Sequence, residues 1–522
     1  MNNKFLNAIF KNNTITENGA LSNSSTGSVA LNYFSKCGTY RGRALREVFS
    51  EISGVWNEDP KQALQLIFYN RMITRKIKGF SESEDIQMGQ GNRNEFLKAI
   101  IWVARYEPEN LYKNLWIVPL IGCWKDLWHM DLIDELDNAK VFELIQRGIN
   151  CDYNRELIAK YLPRIRSKSN TYNERHVRLN TFAYAFIKFI KWTPKQYRKF
   201  KSQGKAHDFQ KKMSSGLFDE INFNSIPGKA LYQMVNNRGK DQKTTFERHG
   251  IDKAYLEWIK DQPVAKFTGY VYELMKVVNH SMSLAQKHTV DKQFDGLIQK
   301  AISKRPITKN VWCALDTSGS MGAQVANTTA YDICLGLGVY FSTLNQGAFK
   351  DNVIMFDNTS QVKQLSGKFS DKVMQLKNST TAWGSTNFQS VIDEIVRIRR
   401  SNPEIPISDF PDTLIVVSDM QFNPVNGNSQ TNYNRAMDKL ARVGLPKMTI
   451  VWWWVTGRAM DFPSTLDDEN VIMIGGFDGA ILSLLLDDEP IDPYNYKEKK
   501  KISPYESMQK ALNQELLSLV HI

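Results

Sequence analysis

Hard oxygen ligands are concentrated in the motif DTSGS at residues 316–320, directly after the apolar run 311–315. Two further candidates are Thr386, in the loop 383–387, and Asp419, which follows the apolar run 414–418. If these apolar runs are parallel strands, the loops after them meet at one edge of a sheet. Hydroxyl and carboxylate oxygens are the ligands that Mg²⁺ prefers in proteins. We therefore predict a site for Mg²⁺ or another divalent cation, formed by Asp316, Ser318, Ser320, Thr386 and Asp419.

A second interpretation of the motif needs no metal. Serine-rich turns after a strand often cap the helix that follows, because the hydroxyl accepts a hydrogen bond from a free backbone N–H group. Both interpretations place Ser318 and Ser320 at the carboxyl end of a strand. They differ in what the two hydroxyl groups contact.

Short apolar strands alternate with amphipathic helices after residue 309. The strands are predicted at 311–315, 352–356, 414–418, 449–455 and 471–474, and the helices at 328–344, 388–400 and 434–443. This alternation predicts a doubly wound α/β domain over residues 306–490, with a parallel sheet covered on both faces. Residues 491–522 are predicted to form an extension whose amphipathic helix, 508–520, packs back on the body of the protein.

Residues 41 to 300 show helical spacing of apolar side chains almost throughout. Leu45, Val48 and Ile52 lie on one helix face, and the pairs Asp59-Pro60 and Thr193-Pro194 are typical helix starts. Short amphipathic helices can bury their apolar faces only by stacking in pairs or layers. We predict an α-helical, HEAT-like repeat array over residues 1–305, although the sequence shows no regular repeat period.

Positive charge is concentrated in one fifth of the chain. The net charge is +12, and residues 151–250 carry 21 Lys and Arg against 8 Asp and Glu. Such a surplus predicts a surface that binds a polyanion. The candidate RNA-binding residues are Lys160, Arg164, Arg166, Lys168, Arg175, Arg178, Lys188, Lys191, Lys195, Arg198 and Lys199.

Aromatic residues, such as Tyr161 and Tyr184, alternate with these cations. Rings that stack on unpaired bases, beside cations that neutralise phosphates, are typical of proteins that bind single-stranded nucleic acid. The same pattern also fits a solvated helix face above a buried stripe, because Phe182, Phe186 and Phe189 stand at helical spacing.

Several classes of protein have no signal in the sequence. No apolar run approaches the roughly 20 residues of a membrane span, and the N-terminus lacks the pattern of a secretory signal. We therefore expect a cytoplasmic protein, or a virion protein if the source is a phage. The five cysteines are scattered and form no C-x-x-C pair, which argues against a disulfide framework or structural zinc.

Catalytic signatures are also missing. The sequence contains no phosphate-binding loop, nucleophile elbow or H-E-x-x-H motif. The motif DTSG differs from the Asp-Thr-Gly of aspartic proteases by its extra serine, and it occurs once. We predict that the protein is not an enzyme.

The metal motif resembles the metal-ion-dependent adhesion site of von Willebrand factor A domains. The resemblance rests on DTSGS (316–320), Thr386 and Asp419 in their strand and loop context. It implies that Ser318, Ser320 and Thr386 bind the ion directly, whereas Asp316 and Asp419 act mostly through water. It also implies that one metal position is left for an acidic group from a partner.

A helical array before such a domain resembles the Ro autoantigen (TROVE) family and its uncharacterised viral and bacterial relatives. The resemblance rests on the segments NEDP (57–60), LQLIF (64–68), RNEF (93–96), GCWKDL (122–127), KYLPR (160–164) and WTPKQYRK (192–199). It implies that the helical repeats close into a ring, that single-stranded ends of misfolded RNA pass through a basic hole, and that small structured RNAs bind the outer rim. The basic segment then lines or borders the hole.

The leading hypothesis is a non-catalytic, Ro-like protein that binds single-stranded, misfolded or small non-coding RNA and carries a Mg²⁺-dependent ligand site. The alternative is a protein-interaction or assembly scaffold, such as a phage virion component, whose metal site grips an acidic partner. A metal-dependent hydrolase ranks below both, because the motif supplies neither a general base nor a nucleophile.

Overall fold

Apolar side chains are buried in two separate compact units. The computed structural model describes residues 13–77, 86–166, 173–204, 207–302, 310–379, 384–425, 430–486 and 502–522. Met1–Tyr40 and Asn222–Ala511 belong to one unit, here called the sheet unit, and Arg41–Ile221 and Leu512–Ile522 belong to the other, the helical unit. The sequence-based boundaries at 305 and 490 therefore do not coincide with the division between the units.

Strands and helices are labelled in chain order within the described residues. The strands are β1 (Asn13–Ile15), β2 (Leu21–Asn23), β3 (Arg75–Lys76), β4 (Ile86–Gln87), β5 (Val311–Asp316), β6 (Gln324–Val325), β7 (Thr328–Thr329), β8 (Asn352–Phe356), β9 (Ser360–Gln364), β10 (Thr413–Ser418), β11 (Thr449–Trp454) and β12 (Val471–Gly475). The helices are α1 (Val29–Cys37), α2 (Leu45–Glu58), α3 (Pro60–Arg71), α4 (Arg93–Tyr106), α5 (Pro108–Asn114), α6 (Val118–Ile121), α7 (Asn138–Ile149), α8 (Asp152–Tyr161), α9 (Glu174–Phe189), α10 (Pro194–Ser202), α11 (Asp208–Ser214), α12 (Gly228–Asn236), α13 (Thr245–Arg248), α14 (Asp252–Asp261), α15 (Val271–Met275), α16 (Leu284–Ile302), α17 (Ala330–Leu344), α18 (Phe369–Ser379), α19 (Gln389–Ser401), α20 (Asn432–Ala441), α21 (Leu482–Leu485), α22 (Pro504–Leu512) and α23 (Glu515–Ser518).

The helix starts in the helical unit follow the capping signals in the sequence. The Asp59 side chain accepts a hydrogen bond from the backbone N–H of Gln62, and Pro60 is the first residue of α3. At α10, Thr193 and Gln196 cap each other's backbone N–H groups reciprocally. Both predicted starts are confirmed, because these side chains satisfy N–H groups that the first helical turn leaves unpaired.

The sheet unit contains a six-stranded sheet in the order β12-β11-β10-β5-β8-β9. All neighbouring pairs are parallel except β8 and β9, which are antiparallel. The five predicted strands are confirmed, and the chain order reverses direction between β5 and β10. In a doubly wound sheet this reversal opens a crevice beyond the carboxyl ends of the two strands, where ligands bind.

Helices before residue 305 also pack within the sheet unit. On α16, Phe294 stacks on Phe369 of α18 with ring centroids 4.3 Å apart. The Asp291 carboxylate accepts hydrogen bonds from the backbone N–H and the hydroxyl of Ser370, at 2.8 and 3.1 Å. These contacts explain why α16 groups with the sheet although it belongs to the helical part of the sequence.

The C-terminal tail belongs to the helical unit from Leu512 onwards. The helix predicted over 508–520 is divided into α22 and α23, because Gln514 has an extended backbone. Its side-chain amide donates to the carbonyl of Met88 at 2.8 Å and accepts from the N–H of Met88 at 2.6 Å. The interruption therefore satisfies two buried backbone groups.

Lys201 fastens α10 to the carboxyl end of α8. Its ammonium group donates to the backbone carbonyls of Ala159, Lys160 and Leu162 at 2.7, 3.1 and 2.5 Å. The end of a helix leaves such carbonyls without a partner in the helix itself. Burial, assisted by the like charge of Arg164, lowers the pKa of Lys201 to about 8.

Replacing Lys201 by Met should destabilise the helical unit by about 1–3 kcal/mol at pH 7, because buried carbonyls lose their donor. The folded pKa of about 8 lies below the ordinary lysine value of 10.5, so the unfolded chain binds more protons between these two pH values. The free energy of unfolding of the wild type therefore increases as pH rises. Urea unfolding should therefore show a larger difference in the free energy of unfolding between wild type and K201M at pH 10 than at pH 7.

The matched control is Lys199→Met on the exposed side of α10, which should change the free energy of unfolding little at either pH. If the difference in the free energy of unfolding between wild type and K201M stayed constant with pH, this role of Lys201 would be contradicted.

Candidate metal centre and cationic segment

Asp316 joins the ends of β5 and β10 at the point where the strand order reverses. Its carboxylate is fully buried. One oxygen accepts from the backbone N–H of Ser318 at 2.9 Å, and the other accepts from the hydroxyl of Ser418 at 2.5 Å. Asp316 thus holds the first residues of the loop 316–320 in place and sets the distance between this loop and β10.

The two serines of the motif bring their hydroxyl groups together. Ser318 Oγ and Ser320 Oγ lie 3.2 Å apart, and the Ser318 side chain forms no capping hydrogen bond to the short 3₁₀ helix Gly319–Gly322. The Ser318 hydroxyl therefore does not act as a helix cap. Ser318 is buried, whereas Ser320 is exposed.

Thr386 comes from the loop before α19 and is also buried. The backbone N–H of Gly319 donates to the carbonyl of Gly384 at 3.0 Å, which joins this loop to the motif. Asn423 holds Thr386 from the other side: its N–H donates to the Thr386 carbonyl at 2.8 Å and its side-chain oxygen accepts from the Thr386 N–H at 3.2 Å. The neighbouring residue Trp383 lies outside the described residues.

Asp419 follows β10 and is 5% exposed. Its carboxylate accepts a hydrogen bond from the backbone N–H of Gln421 at 3.1 Å, and it also interacts with the Ser320 hydroxyl. The next residue, Met420, has a φ of 66°, so the chain turns sharply after Asp419. Contacts therefore link the loops that carry all five predicted ligands.

Negative charge at this site has no basic partner among the described residues. Burial, and next the Asp419 carboxylate, raise the pKa of Asp316 to about 7. Burial also raises the pKa of Asp419, and the carboxylates of Glu17 and Asp461 raise it further. A buried group of like charges is stabilised when a proton or a bound cation neutralises it.

The donor set fits a hard cation. Two carboxylates and three hydroxyls provide oxygen ligands only, which suits Mg²⁺ better than a softer metal. In the part of the chain that the structure describes, no group of three or more His, Cys, Asp or Glu is arranged to hold a metal ion. Any metal at the sheet edge would therefore depend on the hydroxyl groups of Ser318, Ser320 and Thr386.

Sequence reasoning missed the residues that hold this site in place. Ser418 adjoins Asp419 and could have been found from its position at the strand end. Asn18, by contrast, lies 368 residues from Thr386 in the sequence, yet its side-chain N–H donates to Thr386 Oγ1 at 3.4 Å. No local pattern indicates such a contact.

The predicted RNA-binding residues lie on α8, α9, α10 and the loops between them, a region here called the cationic segment (residues 160–166 and 173–199). Its exposed cations form no ion pair with any described carboxylate; they are Arg164, Arg166, Arg175, Lys188, Lys191, Lys195, Arg198 and Lys199. Arg178 is half-buried and pairs with Asp134 and Glu174. Lys160 is half-buried beside His207. Lys168 lies outside the described residues.

The aromatic residues of this segment divide between core and surface. Phe182 and Phe186 are buried against Phe142 of α7, with ring centroids 5.2 and 5.4 Å away, so the core interpretation holds for these two. Tyr184 is 45% exposed and Phe189 is 37% exposed. Phe189 therefore belongs only partly to the buried stripe.

A membrane span was not expected from the sequence. Among the described residues, no helix combines the length and the apolar character that crossing a membrane requires.

Comparisons with known proteins match most of the chain. Residues 311–515 match a family described as a domain of unknown function, DUF7788, and residues 16–143 match another, DUF2828. The five candidate metal ligands lie inside the first match, and the cationic segment lies between the two. The chain is similar to the uncharacterized protein L728 of Acanthamoeba polyphaga mimivirus, with 24% identity over 92% of this chain and 86% of the viral protein.

Proposed function

We propose that this protein binds single-stranded RNA through the cationic segment and carries, in the sheet unit, a von Willebrand factor A type site for a divalent cation. The observation that supports RNA binding is the group of eight exposed Lys and Arg residues without carboxylate partners among the described residues. Cations that the protein itself leaves uncompensated can neutralise phosphates and release their counterions. The proposal includes no catalytic step.

Exposed rings in the same segment favour a single strand over a duplex. Tyr161 is 36% exposed, and the Lys160 ammonium lies 5.4 Å from its ring centroid. Tyr184 and Phe189 are exposed on α9. Unpaired bases can stack on such rings, whereas the bases of a duplex are already stacked on each other.

The finer architecture in this proposal comes from the resemblance to Ro proteins. It assigns HEAT-like repeats, closed into a ring, to the helical part, and a von Willebrand factor A domain to the six-stranded sheet. The position of DTSGS at the carboxyl end of β5, beside the reversal of strand order, supports the second assignment.

An assembly scaffold is the second candidate, and the pair of buried carboxylates is the observation that favours it. Asp316 and Asp419 are buried together without a basic partner in the described part of the chain. A divalent cation held there would attract an acidic group from a protein partner, which needs no RNA. In that case the cationic segment would have no part in the function.

Changing Lys191, Lys195, Arg198 and Lys199 together to Glu should abolish binding of a single-stranded oligouridylate, because four phosphate contacts are lost and four repulsions gained. Fluorescence anisotropy across a salt series measures this. Each lost contact removes about 0.7 from the slope of log affinity against log salt. If residual binding is measurable, the magnitude of this slope should be about 3 units smaller than in the wild type.

The matched control changes four exposed cations elsewhere in the helical unit, Arg46, Lys61, Lys125 and Lys140, to Glu. Net charge falls equally in both variants, so equal losses of affinity would show non-specific attraction and refute a defined binding surface. Unchanged affinity in the first variant would refute the RNA proposal itself.

Mg²⁺ should raise the thermal unfolding midpoint of the wild-type protein, because a ligand that binds only the folded state stabilises it by about 2.7 kcal/mol at one hundred times its dissociation constant. Ser320→Ala should lose most of this effect, since it removes one hydroxyl ligand. Differential scanning calorimetry with and without Mg²⁺ measures both proteins. Ser401→Ala, an exposed serine at the end of α19, is the control. A midpoint that Mg²⁺ leaves unchanged in the wild type would contradict the metal site.

A further inference from the structure

One buried carboxylate in the helical unit, that of Asp126, is bound by two arginines. The Arg71 Nε and Nη2 atoms lie 2.9 and 2.8 Å from the same Asp126 oxygen, and the Arg93 Nε atom lies 2.7 Å from the other oxygen. The Asp126 side chain has no exposed surface, and the Arg71 side chain is 4% exposed. The segments RNEF (93–96) and GCWKDL (122–127) therefore meet in one polar cluster.

A third arginine, Arg75 of β3, adjoins this cluster. Its Nη2 atom donates to the backbone carbonyls of Leu120 and Gly122, both at 2.8 Å. Gly122 has no space for a side chain, because a Cβ atom there would lie 2.7 Å from the Arg71 Cζ atom. Gly122 is therefore in contact with the guanidinium groups of both Arg71 and Arg75.

The charges of the cluster do not balance. Three guanidinium groups stand against one carboxylate, which leaves two positive charges without a counter-charge among the described residues. Burial lowers the pKa of Arg75, and the like charge of Arg71 contributes to this lowering. Like charges that are largely removed from water cost free energy unless an anion neutralises them.

Some hydrogen-bond donors of the cluster also lack acceptors. Neither Nε nor Nη2 of Arg93 forms a hydrogen bond of normal geometry with a described residue, although Nε lies close to Asp126. Both hydrogen bonds of the Arg75 guanidinium use Nη2, so its Nε and Nη1 have no acceptor in the described part of the chain. The Arg93 side chain is 33% exposed and Arg75 is half-buried, so both side chains border solvent.

The cluster borders the cationic segment through α8. The ring N–H of Trp124 donates to the side chain of Asn154, near the start of α8, at 3.3 Å. At the end of α8, burial raises the pKa of Tyr161, and the charge of Arg75 opposes this rise. The Lys160 ammonium lies 5.4 Å from the centroid of the same ring. A strand bound to the cationic segment therefore lies within reach of the arginines.

We propose that Arg71, Arg75 and Arg93 form a site for the terminal phosphomonoester of an RNA strand. A terminal phosphate carries about 1.5 to 2 negative charges at pH 7, whereas a phosphate within the strand carries one. The terminal group therefore matches the two uncompensated positive charges, and guanidinium groups bind phosphate oxygens in pairs. The inference rests on the RNA binding proposed above and adds to it the recognition of a phosphorylated end.

Three oligouridylates of equal length test this site on the full chain. One carries a 5′-phosphate, one carries a 3′-phosphate, and one has hydroxyl groups at both ends. Competition with an internally labelled strand, followed by fluorescence anisotropy at constant salt, measures the three affinities. We expect the wild type to bind one of the phosphorylated strands about tenfold more tightly than the hydroxyl strand, because charge-assisted hydrogen bonds are added.

Arg93→Gln and Arg75→Gln should each reduce this affinity ratio to near one. Arg71 keeps its ion pair with Asp126 in both variants, so binding of the hydroxyl strand should change little and reports that the helical unit is still folded. Arg46→Gln, which changes an exposed arginine of α2, is the matched control and should keep the ratio.

Equal affinity of the wild type for all three strands would overturn the phosphate site and leave RNA binding standing. An advantage of the phosphorylated strand that R93Q and R75Q both retain would overturn the assignment to these arginines. Absence of binding of all three strands to the wild type would overturn the RNA proposal as well.

Discussion

The main physical constraint in this protein is electrostatic, because the fold leaves charged groups without a counter-charge. In the sheet unit, Asp316 and Asp419 are buried beside each other, and no described basic residue pairs with either. In the helical unit, eight cations of the cationic segment are exposed without carboxylate partners among the described residues. Both arrangements cost free energy in isolation, and both are relieved by a ligand of opposite charge from outside the chain. A cation suits the first and a polyanion the second.

The architecture of the sheet explains why the negative site is where it is. Asp316 ends β5 and Asp419 follows β10, the two strands between which the chain order reverses. Loops diverge at such a point, so side chains from separate segments can surround a ligand without crowding. The Ser418 hydroxyl and the Gly319–Gly384 backbone hydrogen bond hold these loops at a fixed separation.

The sequence predicted those parts of the structure that depend on local patterns. The strands, the capped starts of α3 and α10, and the linking of the three loops that carry the five candidate ligands follow from apolar periodicity and from the meeting of parallel strand ends. Long-range contacts could not be predicted in this way. The stacking of Phe294 on Phe369 brings α16 into the sheet unit, and Asn18 reaches Thr386 across most of the chain. Periodicity also could not separate Phe186 from Phe189, because helical spacing is the same for a buried and an exposed position.

The proposed RNA-binding surface is the cationic segment. Ultraviolet crosslinking of the full chain to a single-stranded oligouridylate, followed by mass spectrometry of the crosslinked peptides, tests it directly. We predict crosslinks at the exposed rings of this segment, Tyr161, Tyr184 and Phe189. An excess of unlabelled strand should abolish these crosslinks by competition. Crosslinks confined to other parts of the chain, or none under conditions that saturate binding, would contradict the account.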